Sequence, residues 1–175
     1  MQNVMQVGEA GMTIVLTDRT YRVLDLARRQ ADQRSADEIE SRDILDGLGM
    51  EGSGVAANVM RRLRLPFVID SVSESLARTV MEPLNRRIQL SELCGEASDL
   101  MLRARDEALY CFERWSDPPV RSPWIGTEHV LLAITSGGEE SGTILLRDAL
   151  AESNRTLGDV RSIVLEVVLG RSSDQ

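Results

Sequence analysis

The sequence predicts an all-α protein made of two four-helix repeats related by a pseudo-twofold axis. Three observations lead there. Apolar residues recur at three- and four-residue steps along most of the 175 residues, and the two-residue alternation of strands is nearly absent. Thr17, Ser41 and Thr127 each stand just ahead of an apolar run, where a hydroxyl can accept an amide of the first helical turn. The chain also repeats itself. Ile125-Gly126-Thr127-Glu128-His129-Val130-Leu131-Leu132-Ala133-Ile134 is echoed by Ile39-Glu40-Ser41-Arg42-Asp43-Ile44-Leu45-Asp46-Gly47-Leu48, which keeps the isoleucine, the hydroxyl and the apolar run.

Taken in order, residues 1–13 show no helical period and include Gly8 and Gly11, so a loose, flexible lead-in is expected. Thr17 caps a first helix reaching Gln33, with Thr20, Val23, Leu24, Ala27 and Ala31 on one face. Ser41 caps a short helix to Leu48. A turn over Gly49 to Gly54 precedes a third helix from Val55 to Arg64, ended by Pro66. Ser71 begins a fourth helix to Met81, and residues 83–90, containing Pro83, form the link between halves.

The second half opens on the longest helix, Ser91 to Trp115, whose stripe includes Leu93, Ala97, Leu100, Met101, Ala104, Ala108, Cys111 and Phe112. Ser116 to Pro123 is Pro-rich and reads as a stiff loop. After the helix that Thr127 starts come a turn at Gly137-Gly138, a helix from Ser141 to Ala151, and a last helix from Thr156 to Leu169 burying Val160, Ile163, Val164 and Val167. The halves align at two offsets. Val23, Ala27 and Ala31 match Leu100, Ala104 and Ala108 at 77 positions, whereas Ile39, Leu45 and Leu48 match Ile125, Leu131 and Ile134 at 86. The extra residues fall in the Pro-rich loop.

Composition narrows the function. Net charge is −8, against the excess of positive charge that nucleic-acid binding rests on, so no nucleic-acid partner is expected. All 20 basic residues are arginine. Without lysine there is neither a P-loop phosphate site nor a Schiff-base amine. No apolar run approaches the roughly 18 residues needed to cross a bilayer, and Met1 to Met12 lacks the pattern of a secretion signal, so no membrane role is expected. Cys94 and Cys111, placed on one helix at about 1.5 Å per residue, lie roughly 25 Å apart and cannot bridge. A reduced, cytoplasmic setting is the expectation.

The residues now carry a resemblance. The run IGTEHVLLAI with Gly137 and Gly138 resembles the signature of the Clp N-terminal repeat of C-type and A-type Clp unfoldases, and ILDGLGMEGSGVAANVM is similar to the same element. Leu16-Thr17-Asp18-Arg19 and Val23 to Ala27 resemble the family's opening helix. The likeness covers residues 14–170, as repeats at 14–82 and 91–170 with a tail at 171–175. It implies a domain that receives substrates and adaptor proteins for an ATPase ring feeding a protease. With no ATPase motif in the chain, a free-standing, non-enzymatic module is expected. Its implied partners are a Clp ATPase, an adaptor or a substrate polypeptide; the alternative is a regulatory scaffold that kept the fold but left the Clp system.

In C-type members the glutamate of each T-E-H motif helps bind arginine-phosphorylated peptide through the guanidinium. Thr127 and Glu128 keep that motif here, so they are the candidate peptide-binding residues. In the first repeat Arg42 stands where the glutamate would be, and Asp43 replaces the histidine. An arginine there repels a guanidinium, leaving one such site at best.

Other residues have plainer readings. His129, the sole histidine, reads as a structural group bonded to nearby backbone. With only two distant cysteines beside it, no metal or other cofactor is expected. Glu139-Glu140 reads as a solvated turn, and Arg61, Arg62 and Arg64 as a solvated helix end. Trp115, Arg121 and Trp124, on and around the Pro-rich loop, are the candidate protein-interaction residues; the tryptophans otherwise close the core of the second repeat.

Overall fold

The structure, a computed structural model, describes residues 3–7, 12–67, 90–113 and 124–169. Seven α-helices dominate these residues: α1 Asp18–Gln33, α2 Ser41–Glu51, α3 Val55–Arg62, α4 Gly95–Glu113, α5 Thr127–Thr135, α6 Ser141–Ala151 and α7 Leu157–Leu169. The helix expected over Ser71 to Met81, residues 83–89 of the link, the Pro-rich loop and the tail lie outside the described residues.

Helix α1 begins as its sequence dictates. Thr17 is the N-cap, its hydroxyl accepting the Thr20 N–H at 3.2 Å. The face of Thr20, Val23, Leu24, Leu26, Ala27 and Ala31 is buried. Gly47 of α2 lets the two helices close up, because a Cβ there would stand 2.5 Å from the Val23 carbonyl oxygen. Helix α2 stops at Gly52, whose φ of 73° belongs to the left-handed region that glycine enters without strain. The core is continuous across both halves. Leu24, Ile44, Leu48, Met60, Leu100, Met101, Ile125, Leu131, Leu146 and Val160 are all at most 1% exposed, each large aliphatic side chain contributing about 1.5–3 kcal/mol of burial.

The lead-in corrects the sequence reading. Instead of a loose segment, β1 Asn3–Val7 and β2 Met12–Leu16 pair antiparallel, and β3 Trp124–Ile125 adds to β2 in parallel. The described residues are therefore mostly helical, with one small three-stranded sheet among them. The run Met12-Thr13-Ile14-Val15-Leu16 has the β-branched content of a strand, but a strand is stable only beside a partner. Its partners are β1, antiparallel along the whole strand, and residues 124–125, far away in sequence.

The sheet has a counterpart. Leu16 pairs with Ile125, while Leu93 forms an isolated parallel bridge with Ile39. Thr17 N–H donates to the Ile125 carbonyl at 3.1 Å, and Cys94 N–H donates to the Ile39 carbonyl at 3.0 Å. Leu16 and Thr17 correspond to Leu93 and Cys94 at the offset of 77, and Ile39 to Ile125 at 86. Each half thus hands its entry segment to the lead-in of the other half's second helix.

Candidate binding sites at paired helix starts

Two pairs of helix N-termini meet across the halves: α5 with α3, and α2 with α6. At α5 the structure moves the cap by one residue. Gly126, in extended conformation, is the N-cap, and Thr127 is already in the helix. The Gly126 N–H donates to Nδ1 of His129 at 3.0 Å. Freed from capping its own helix, the Thr127 hydroxyl accepts the Ala56 N–H of α3 at 3.4 Å. The approach is close: a Cβ on Gly54 would stand 2.5 Å from that hydroxyl.

The same correction applies at α2. Glu40 is the N-cap, and its N–H donates to the Asp43 carboxylate at 2.9 Å. The Ser41 hydroxyl accepts the Gly142 N–H of α6 at 2.8 Å. Asp43 therefore does the work of His129, and the hydroxyl that resembled a local cap serves the opposite half in both places. Arg34 neutralises the buried Asp43 carboxylate at 2.6 Å.

Glu128 is the distinctive group of the α5 start. Its side chain is 22% exposed and lies 3.7 Å from Nδ1 of His129. That contact is no ion pair. Nδ1 is an acceptor for Gly126, and burial pushes the imidazole pKa below its ordinary value against the pull of Glu128 and Glu107. Among the described residues no donor hydrogen-bonds the Glu128 carboxylate, which folds back over Gly126 where a Cβ would collide with it. The amides of Thr127 and Val55, first in α5 and α3, likewise have no acceptor among the described residues.

The α2–α6 start is furnished differently. Glu96, in the first turn of α4, accepts the N–H of Ser41 at 3.0 Å and of Ser141 at 3.1 Å, together with their hydroxyls at 2.8 and 2.5 Å. These are the first amides of α2 and α6. Burial raises the Glu96 pKa, but the hydrogen bonds from Ser141 and Ser41 outweigh it and hold the carboxyl below its ordinary value. Arg42, at the position corresponding to Glu128, lies 2.9 Å from the Glu40 carboxylate. Glu96 was not singled out by sequence reasoning; its signal is an acid at the start of α4 where the first half has Arg19.

Of the remaining candidates, Trp115 and Arg121 lie outside the described residues. Trp124 is 49% exposed, its backbone paired with Val15 in β3. Of the turn pair, Glu139 is exposed as expected, but Glu140 is mostly buried and lies 2.9 Å from Arg103 of α4. Arg61 donates to the Asn58 side chain and the Gly52 carbonyl, while Arg62 and Arg64 are exposed. Both cysteines are free. Among the described residues no three His, Cys, Asp or Glu side chains converge to hold a metal ion, and no helix is long and apolar enough to cross a membrane.

No family model matches the chain. The chain is 26% identical over 151 residues to the negative regulator of genetic competence ClpC/MecB of Bacillus subtilis (strain 168), a match taking in 85% of this chain. It spans 17% of that relative's length. A solved structure from preliminary structural investigations of a malarial protein secretion system is similar at a TM-score of 0.49 and 13% identity, covering 89% of this chain and 99% of that one. Over most of its length, then, the chain is similar to a Clp-related protein.

Proposed function

We propose that this chain is a Clp N-domain-like protein-binding module, two helical repeats about a pseudo-twofold, that receives substrate or adaptor polypeptides or modulates a Clp ATPase–protease system. The reciprocal exchange of entry segments and hydroxyls between the halves supports the repeat reading, and the likeness to ClpC/MecB supports the Clp connection. The observation that carries the binding role is Glu128: a part-exposed carboxylate without a hydrogen-bond donor among the described residues, in the first turn of α5, where Thr127 meets the start of α3. A carboxylate suits a guanidinium fork, and helix-start amides suit an anionic group. Arginine-phosphorylated peptide presents both, and the T-E-H resemblance points to the same ligand.

The test is titration of a labelled arginine-phosphorylated peptide by fluorescence anisotropy. Glu128→Ala is expected to weaken binding about 10-fold or more, the size of one charge-assisted pair, with the melting temperature unchanged. Equal affinity for wild type and variant removes the site. A second reading, a scaffold that kept the fold but no longer partners Clp, is favoured by the self-satisfied α2–α6 start, where Arg42 and Glu96 replace open ligand-binding groups. Affinity capture separates the two: a Clp ATPase or protease subunit supports the first, and its consistent absence supports the second.

A further inference from the structure

We infer that Glu96 is a built-in ligand: its carboxylate fills an anion site formed by the N-termini of α2 and α6, so that this pair of helix starts is closed, while among the described residues no acceptor closes the α3–α5 pair. The two pairs are built alike. In each, one helix's first hydroxyl accepts an amide from the partner helix, Thr127 from Ala56 and Ser41 from Gly142. In one pair the leading amides, those of Ser41 and Ser141, converge on a carboxylate that also takes both hydroxyls. In the other the leading amides have no acceptor among the described residues.

The difference follows from one position. Arg19 corresponds to Glu96 at the offset of 77, so the first half has a cation at the position where the second half has its anion. A carboxylate at two positive helix ends is stabilised by both, and its Oε1 takes three of the four donors while Oε2 takes the Ser141 N–H. Arg42, turned to Glu40, offers no carboxylate in its stead. The consequence for ligand count, one per chain, rests on the proposed function; the filling of the site by Glu96 does not.

Acetate rescue tests the filling directly. Glu96→Ala removes the carboxylate and leaves room for a small one. Its melting midpoint is expected to fall by about 5–10 °C, the loss of a few charge-assisted bonds in a chain of this size. Sodium acetate at about 100 mM should restore several degrees relative to sodium chloride of equal ionic strength, by mass action on the folded state. Wild type should respond equally to the two salts. Glu96→Gln, which keeps the bulk without the charge, should be destabilised and not rescued. If Glu96→Ala does not fold in chloride, acetate-dependent recovery of its helical circular dichroism is the readout. Equal effects of acetate and chloride on Glu96→Ala, or a Glu96→Gln variant as stable as wild type, would overturn the inference.

Discussion

The α2–α6 and α3–α5 helix starts share a backbone plan and differ in what they leave for a partner. In one, groups of the chain itself fill the site: Glu96 accepts its leading amides, Asp43 holds its cap, and Arg34 and Arg42 lie against the acids Asp43 and Glu40. The other keeps a part-exposed carboxylate at Glu128 and leading amides with no acceptor among the described residues. The two helix-start pairs thus share their packing and differ at two pairs of positions, 19 against 96 and 42 against 128, which under the proposed function set which pair takes a ligand. Packing demands a hydroxyl and a small residue at each junction. Binding demands unsatisfied charge, which a single side chain can supply or cancel.

The largest effect should come from the packing that the two pairs share. A Cβ on Gly142 would stand 2.6 Å from the Ser41 carbonyl oxygen, a backbone atom with little freedom to move. Gly142→Ala should cost about 1–3 kcal/mol, a fall of about 2–12 °C in melting temperature. At the other junction a Cβ on Gly54 meets side-chain atoms of Thr127 and Glu51. Gly54→Ala should therefore cost less, and equal losses in thermal melts would show that the junctions are not organised as described.

Next in size is the exchange that separates open from closed. Arg19→Glu places a carboxylate at the position of Glu96, and it should lower affinity for arginine-phosphorylated peptide about 10-fold or more, the size of one charge-assisted interaction. Unchanged anisotropy titrations would show that position 19 does not control the site. The pH dependence of stability separates the two starts again. Burial holds His129 below its ordinary 6.5, so the unfolded chain takes the proton first, and stability present above that value declines as pH falls below it. Glu96, held below its ordinary 4.5, adds a second decline as pH falls below that value. Melting temperatures across this range should show both, and His129→Gln should remove the upper one alone. The smallest effect is expected from Arg42→Glu, which recreates a T-E-H-like acid in the closed copy. With Glu96 in place, calorimetric stoichiometry should stay at one peptide per chain.

Much of this was legible in the sequence. The stripe of Val23, Leu24, Ala27 and Ala31 and its image at Leu100, Met101, Ala104 and Ala108 are buried as their spacing requires, because helical periodicity is a local signal. Helix α6 runs from Ser141 to Ala151 as read, and Thr17 caps α1. What escaped was non-local. Ser41 and Thr127 have the side chains of N-caps, but the residues before them hold the cap position and their hydroxyls reach across to the other half. β2 is flanked by β1 on one side and, on the other, by residues 124–125 far away in sequence. Glu96 meets Ser41 and Ser141 over separations of 55 and 45 residues, and no local pattern announces that meeting. Glu128 was found because a motif marks it, whereas the absence of a donor at its carboxylate among the described residues became visible only in three dimensions.

The contrast between an open and a closed start is tested most directly by mapping backbone amide shifts during titration with arginine-phosphorylated peptide. The amides of Val55, Thr127 and Glu128 should move and saturate together, while those of Ser41 and Ser141 stay in place. Equal or earlier movement of Ser41 and Ser141 would contradict the account.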